Sequence, residues 1–165
     1  MGDEVIRPPG APGKVRVSLT EDQAVNEDVR NSLQAFLAKL SVPQKVELAG
    51  KGNREVRSLL SRDPSSMVAR AVFNSPRLAE LDVLAYAASP LTNDEILRSI
   101  AESKTWSRNS RVLVLIVSNP RTPPAIAVRF LGHLPVGELN ILARNRNVSV
   151  VVRNEAKRRA MLARR

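Results

Sequence analysis

The sequence predicts an all-α protein, a short right-handed solenoid of stacked helices with an extra N-terminal helix behind a disordered tail. Three observations predict this fold. Apolar residues recur in pairs one helical turn apart, helix-capping residues begin a succession of short segments, and a residue pattern repeats at a shift of 44. Because each segment is too short to bury its apolar side alone, neighbouring segments must share a core.

The N-terminal part divides into a tail and one helix. Residues 1–17 are rich in proline and glycine and have no apolar period, which predicts a disordered tail. Thr20-Glu21-Asp22-Gln23 has the spacing of a capping box, so we predict an amphipathic helix within residues 18–41. The remaining residues, 42–165, form the predicted helical-repeat domain.

Short helices follow one another through the repeat domain. Their predicted starts are Ser41, Asn53, Asp63, Ala79, Thr92, Ser107, Thr122, Pro135 and Ser149. The apolar run Val112–Val117 could by itself be a strand, but a 44-residue shift places Val68–Phe73 on it. The same shift places Ser75-Pro76-Arg77 on Asn119-Pro120-Arg121. We therefore predict that Val112–Val117 is a central helix, buried on most sides.

The turn before the predicted helix at Thr122 carries a family resemblance. The pattern Ser118-Asn119-Pro120-Arg121-Thr122-Pro123-Pro124, followed by an apolar helix, resembles the leucine-rich repeat variant units, which are HEAT-like α-solenoids. From Ser41 to about Ala163 the chain also resembles a group of uncharacterised bacterial proteins with the same order of short helices. The resemblance implies a fold and brings no activity or functional residues with it.

The charge of the chain is concentrated near its C-terminus. The protein has 26 basic and 16 acidic residues and a formal net charge of +10, and residues 103–165 hold 13 of the basic residues and only 2 of the acidic ones. Such an asymmetry indicates an anionic partner.

Aromatic residues make up 3% of the chain, which argues against nucleic-acid modules that stack bases on exposed rings.

Residues suited to catalysis are scarce. The chain has no cysteine and a single histidine, His133, with no nucleophile elbow near it. The acidic pairs Glu80/Asp82 and Asp94/Glu95 fall in first turns of predicted helices, where acids stabilise the helix dipole. We therefore predict no enzyme activity, no metal site and no cofactor.

No secretory h-region or membrane-length apolar run is present, so a cytoplasmic protein without a membrane partner is expected.

One enzyme class remains a third hypothesis. Some DNA glycosylases that remove alkylated bases are HEAT-like solenoids, and they use an acidic residue with exposed aromatics and arginine. The chain offers Trp106 and Arg111 near each other, with Asp94 upstream. The competing interpretation is that Trp106 is a hydrophobic staple or a plug between helices.

The strongest functional prediction is a basic surface in the C-terminal third. Its members are Arg108, Arg111, Arg121, Arg129, Arg144, Arg146, Arg153 and Lys157. Arg108 and Arg111 are three residues apart on the helix predicted from Ser107, so they share one side of it. Arg153 and Lys157 are four residues apart on the last predicted helix. Equivalent positions of successive repeats line one edge of a solenoid. Five members of the set could therefore converge on one groove, namely Arg108, Arg111, Arg121, Arg144 and Arg153.

Two functions and one structural alternative follow from this basic surface. The first hypothesis is a non-enzymatic interaction module, an adaptor or scaffold that binds an acidic partner protein. The alternative function is sequence-independent nucleic-acid binding through phosphates. The structural alternative is that the basic residues form a solvated cap at the end of the solenoid. The sequence leaves the oligomeric state open.

Overall fold

Helices account for all the regular secondary structure of residues 18–22 and 26–163, the part of the chain that the computed structural model describes. The predicted tail at 1–17 lies outside these residues. The helices are α1 Glu27–Ala38, α2 Val42–Lys51, α3 Arg54–Leu60, α4 Ser66–Phe73, α5 Glu80–Ala88, α6 Asp94–Glu102, α7 Ser110–Ser118, α8 Pro124–Phe130, α9 Val136–Arg144 and α10 Val150–Leu162. Two 3₁₀ turns, Trp106–Arg108 and Leu131–His133, precede α7 and α9. The all-helical class predicted from the sequence is confirmed.

Most helices begin at or next to the predicted capping residue. Ser41, Asn53, Ala79, Pro135 and Ser149 are the N-caps of α2, α3, α5, α9 and α10. The other four helices begin one or two residues later than predicted, with N-caps at Ser65, Asn93, Asn109 and Pro123. The two-residue delay of α4 follows from a local hydrogen bond: the Asp63 carboxylate accepts from the Ser65 N–H at 2.9 Å and forms a turn before the helix.

The predicted capping box at Thr20 is wrong. Helix α1 begins at Glu27 with Asn26 as its N-cap, and the Asn26 side chain accepts from the Val29 N–H at 2.9 Å. Ser18 to Asp22 are not helical. They lie against the α2–α3 junction, where the buried Asn53 donates its amide N–H groups to the carbonyls of Ser18 and Glu21. Long-range hydrogen bonds from a buried amide therefore outweigh the local capping pattern.

The helical interpretation of Val112–Val117 is confirmed. This run lies within α7, and Val112, Leu113, Ile116 and Val117 are buried, while Val114 and Leu115 are partly exposed. Asn109 caps the helix by accepting from two backbone N–H groups of its first turn. A buried helical segment has apolar residues on most sides, which is why its sequence alone resembles a strand.

The chain packs as two compact units, one ending at Leu78 and the other beginning at Ala79, a division that falls inside the predicted repeat domain. In the first unit α2 packs on α4, and the core holds Leu33, Leu37, Val56, Leu60 and Val68. In the second unit α5 packs on α7, α8 on α10, and α9 on α10. The core of the second unit includes Leu113, Val117, Leu131, Leu142 and Val152.

One turn structure recurs between helices. In each case a side-chain oxygen accepts a hydrogen bond from the N–H two residues further on: Ser75 from Arg77, Ser89 from Leu91, Asn119 from Arg121 and Asn145 from Asn147. The turns that the sequence pattern equates with one another therefore share a local conformation. Two of them are also in contact, because the buried Asn119 donates to the carbonyls of Ala87 and Ser89, at 2.7 Å and 3.0 Å.

The spacing of the helices explains the 44-residue pattern. From α3 to α10 the N-caps fall at 53, 65, 79, 93, 109, 123, 135 and 149, so that successive starts are 12 to 16 residues apart. A shift of 44 residues therefore places each helix start close to the start of the third helix after it. The side-by-side pairs α2/α4, α5/α7 and α8/α10 also recur at every third helix. The packing thus recurs at about the interval found in the sequence.

Candidate interaction surface

The eight predicted basic residues are spread over several elements of the second unit. Arg108, Arg111, Arg121, Arg129, Arg144, Arg146 and Lys157 are exposed, and Arg153 is half-buried. Arg108 belongs to the 3₁₀ turn, whereas Arg111 lies in the first turn of α7. The prediction that these two share one side of a single helix is therefore wrong, because the helix begins after Asn109 and not at Ser107.

The structure brings Arg144 and Lys157 together. Both line a groove of about 330 Å³ between α9 and α10. Its six lining residues are Asn140, Ala143 and Arg144 from α9 and Lys157, Ala160 and Met161 from α10. We call this site the α9–α10 groove. Neither cation has an ion-pair partner within the described part of the chain.

Arg146 and Arg153 form a second close pair beside the same helices. The Arg153 guanidinium donates to the carbonyl of Arg146 at 3.3 Å, which ties the turn before α10 to the helix that follows it. Arg153 also precedes Lys157 by one helical turn, so both cations lie on one side of α10. Four of the eight predicted residues therefore lie on α9, α10 and their connecting turn.

Arg129 has a structural role. Its guanidinium donates to the carbonyl of Ala101 at 3.3 Å and lies 4.7 Å from the centre of the Phe130 ring. A planar guanidinium engaged by a carbonyl and an aromatic face is partly satisfied within the protein. Arg129 is thus less available to a partner than the other exposed arginines.

One acid pairs with two further arginines of α10. Glu155 accepts from Arg158 at 2.7 Å and from Arg159 at 2.6 Å. Hydrogen bonds from Arg158 and then Arg159 lower the pKa of Glu155 to about 2. The positive charge of α10 that remains without an acidic partner in the described residues is therefore on Arg153 and Lys157.

A groove in the first unit provides a contrast. It has a volume of about 290 Å³ and is lined by residues that include Lys45 and Asp63. Lys45 donates to Asp63 at 2.7 Å, and their side chains are only 15% and 10% exposed. The second cation of this groove, Arg62, is exposed, and an acid also lines the groove. The α9–α10 groove differs in that both its cations are exposed and none of its six lining residues is acidic.

The apolar lining of the α9–α10 groove is not evident in the charge pattern. Met161, which lines the groove, is 57% exposed, a high value for a large apolar side chain. Ala160 is almost fully buried, and Ala143 is partly buried against the core of the second unit. Small residues therefore form the floor of the groove, with two cations and Met161 around it. The helical spacing of Ala143, Arg144, Lys157 and Ala160 was the available sequence signal, but the pairing of α9 with α10 was needed to interpret it.

No hydrogen bond or ion pair in the described residues joins the acid of the glycosylase hypothesis, Asp94, to Trp106 or Arg111. Trp106 is half-buried in the 3₁₀ turn, and Asp94 lies in the first turn of α6. His133 is exposed, and its ring centre lies 6.1 Å from that of Phe130. No group of three potential metal ligands occurs among the residues that the structure describes.

These observations define an all-helical protein with a partly apolar, basic groove. No protein-family model, curated protein or solved structure matches the chain. The resemblance to leucine-rich repeat variant proteins therefore stays a prediction. None of the helices in the described residues combines the length and the apolar character that crossing a membrane requires.

Proposed function

We propose that this chain is a short right-handed α-solenoid that acts as a non-enzymatic interaction module and binds an acidic segment of a partner protein. The solenoid is supported by the even spacing of helix starts and by the packing of helices two apart. The hydrogen bonds from Asn119 to the turn at Ala87 and Ser89 support it further, since they join equivalent turns.

The observation that carries the function is the α9–α10 groove. Arg144 and Lys157 come from different helices, line one depression and have no acidic partner among the described residues. Two like charges in one groove repel each other, and an acidic ligand relieves that repulsion while gaining two attractive contacts. The exposed Met161 in this groove favours a protein partner over a phosphate backbone, because it offers an apolar contact that phosphates do not use.

Nucleic-acid binding is the second candidate. It is favoured by Arg108, Arg111 and Arg121, which are exposed, lie on other elements than the groove and form no ion pair within the described residues. A backbone-reading protein uses many such separate phosphate contacts. A protein-binding groove needs only the cations at its rim.

Fluorescence anisotropy with two anionic probes tests these candidates. The probes are fluorescein-labelled poly-glutamate and a random 20-base-pair DNA duplex, each titrated across a salt series. The variant Arg144→Glu/Lys157→Glu reverses the groove, and Lys39→Glu/Arg62→Glu makes the same charge change at exposed cations of the first unit.

We expect poly-glutamate to bind the protein and the control variant equally, and to lose at least about tenfold in affinity with the groove variant. An equal loss in both variants would mean that only net charge matters and would contradict the groove. Tighter binding of the duplex, with a salt slope that corresponds to several phosphate contacts, would favour the second candidate.

A further inference from the structure

The α9–α10 groove has room for a large apolar side chain. Its floor is formed by Ala143 from one helix and Ala160 from the other, and both are small. A volume of about 330 Å³ lies at the low end of small-ligand pockets and suits an aliphatic or aromatic side chain. In helix packing, a large residue of one helix inserts where its neighbours present small ones.

The charges around this floor lie on two sides. Arg144 comes from the end of α9, and Lys157 comes from the middle of α10. A ligand that places an apolar residue on the floor can therefore meet one cation on each side. On a helix, residues three or four positions before and after a central residue share its face, so carboxylates at those positions would flank the apolar residue.

We propose that the α9–α10 groove binds an acidic amphipathic helix, with a leucine or similar residue on the Ala143/Ala160 floor and carboxylates one turn to either side that pair with Arg144 and Lys157. This inference rests on the proposed function and names the partner's chemistry. Met161 contacts the adjoining apolar residues of the same helix face. Charge complementarity selects the partner, because Glu138 and Glu155 are the acidic residues between 103 and 163, and Glu155 is engaged by two arginines.

The test uses two synthetic helical peptides that differ at one position. Both are acidic and carry glutamates one turn before and after the central position, which is leucine in one peptide and alanine in the other. We expect the leucine peptide to bind the protein about tenfold more tightly, because burial of the extra carbon atoms is favourable. Equal affinities for the two peptides would overturn the inference. The proposed function would still stand if poly-glutamate bound in the groove-dependent manner described above.

Two variants separate the floor from the rim. Ala143→Leu fills the floor and should abolish the advantage of the leucine peptide over the alanine peptide. Ala125→Leu, an exposed position on α8, is the matched control and should preserve that advantage. Circular dichroism melting checks that both variants fold. If the leucine advantage survives in a folded Ala143→Leu protein, the leucine does not occupy the floor and the inference fails.

A charge exchange provides an independent readout that does not depend on filling the floor. Lys157→Glu should weaken the leucine peptide, and replacing one flanking glutamate of the peptide by lysine should restore affinity for this variant but not for the unaltered protein. Absence of restoration at both flanking positions would overturn the proposed orientation. If neither poly-glutamate nor either peptide binds, the proposed function itself fails.

Discussion

A buried hydroxyl in the second unit offers a sharp test of the turn structure. Thr92 and Thr122 occupy the same position, three residues after the side-chain acceptor of the turn, and both are buried. The Thr122 hydroxyl donates to the carbonyl of Ile116 at 2.6 Å. The Thr92 hydroxyl has no hydrogen-bond partner within the described residues. At the corresponding position after Asn145 the chain has Val148, which is also buried.

Thr92→Val and Thr122→Val should therefore have opposite effects on the stability of the protein. A buried hydroxyl without a partner costs about 1–3 kcal/mol, so Thr92→Val should stabilise the protein by about 1 kcal/mol after losses from imperfect packing. A buried hydroxyl that donates a hydrogen bond stabilises the folded protein by about 1 kcal/mol, so Thr122→Val should destabilise the protein by that amount. Valine has nearly the shape of threonine, so the comparison isolates the hydroxyl.

Differential scanning calorimetry measures the outcome. A change of 1 kcal/mol corresponds to a shift of about 3 °C in the thermal midpoint for a protein of this size, upward for Thr92→Val and downward for Thr122→Val. The two variants should then differ by about 6 °C. If Thr92→Val lowers the midpoint as much as Thr122→Val does, the Thr92 hydroxyl has a partner in solution and the reasoning is refuted.

Two further predictions concern a close contact and an ion pair. An added Cβ at Gly52 would lie 2.6 Å from the carbonyl oxygen of Leu48, so Gly52→Ala should lower the urea midpoint by an amount equivalent to about 1–3 kcal/mol. Gly50→Ala is its matched control, since nothing lies within 4 Å of a Cβ there, and it should raise the midpoint slightly; destabilisation by both would contradict the argument. The lowered pKa of Glu155, about 2, implies stabilisation that is complete above its ordinary value of 4.5 and lost as the pH falls towards 2. The difference in thermal midpoint between the protein and Glu155→Gln should therefore shrink from pH 6 to pH 3, and a constant difference would count against the ion pairs.

The prediction of helices succeeded where the determining interactions are local. Ser41 and Gln44 form the expected capping box, with the Ser41 N–H donating to the Gln44 side chain at 2.9 Å. Such hydrogen bonds span three residues and recur in the same form in unrelated chains, so a sequence pattern is sufficient to find them. The two-residue error at α4 occurred because the Asp63 carboxylate accepts from the Ser65 N–H and forms a turn before the helix begins.

The N-terminal error has a different cause. Thr20 to Gln23 have the spacing of a capping box, but the carbonyls of Ser18 and Glu21 are bound by Asn53, more than thirty residues later in the chain. Leu19 is buried at the same place. Contacts over that separation leave no periodic trace in the sequence, so a local rule cannot anticipate them.

The sequence by itself determined the helical class, most helix starts and the concentration of positive charge in the C-terminal third, because each depends on residue type and near neighbours. The tertiary structure decided which cations lie in one place and which are engaged. Arg144 and Lys157 share a groove because α9 packs on α10, whereas Arg129 is engaged by a backbone carbonyl and an aromatic ring, and Arg158 by an acid. Charge is a property of the residue, but its availability to a partner depends on packing between helices, which only the folded chain defines.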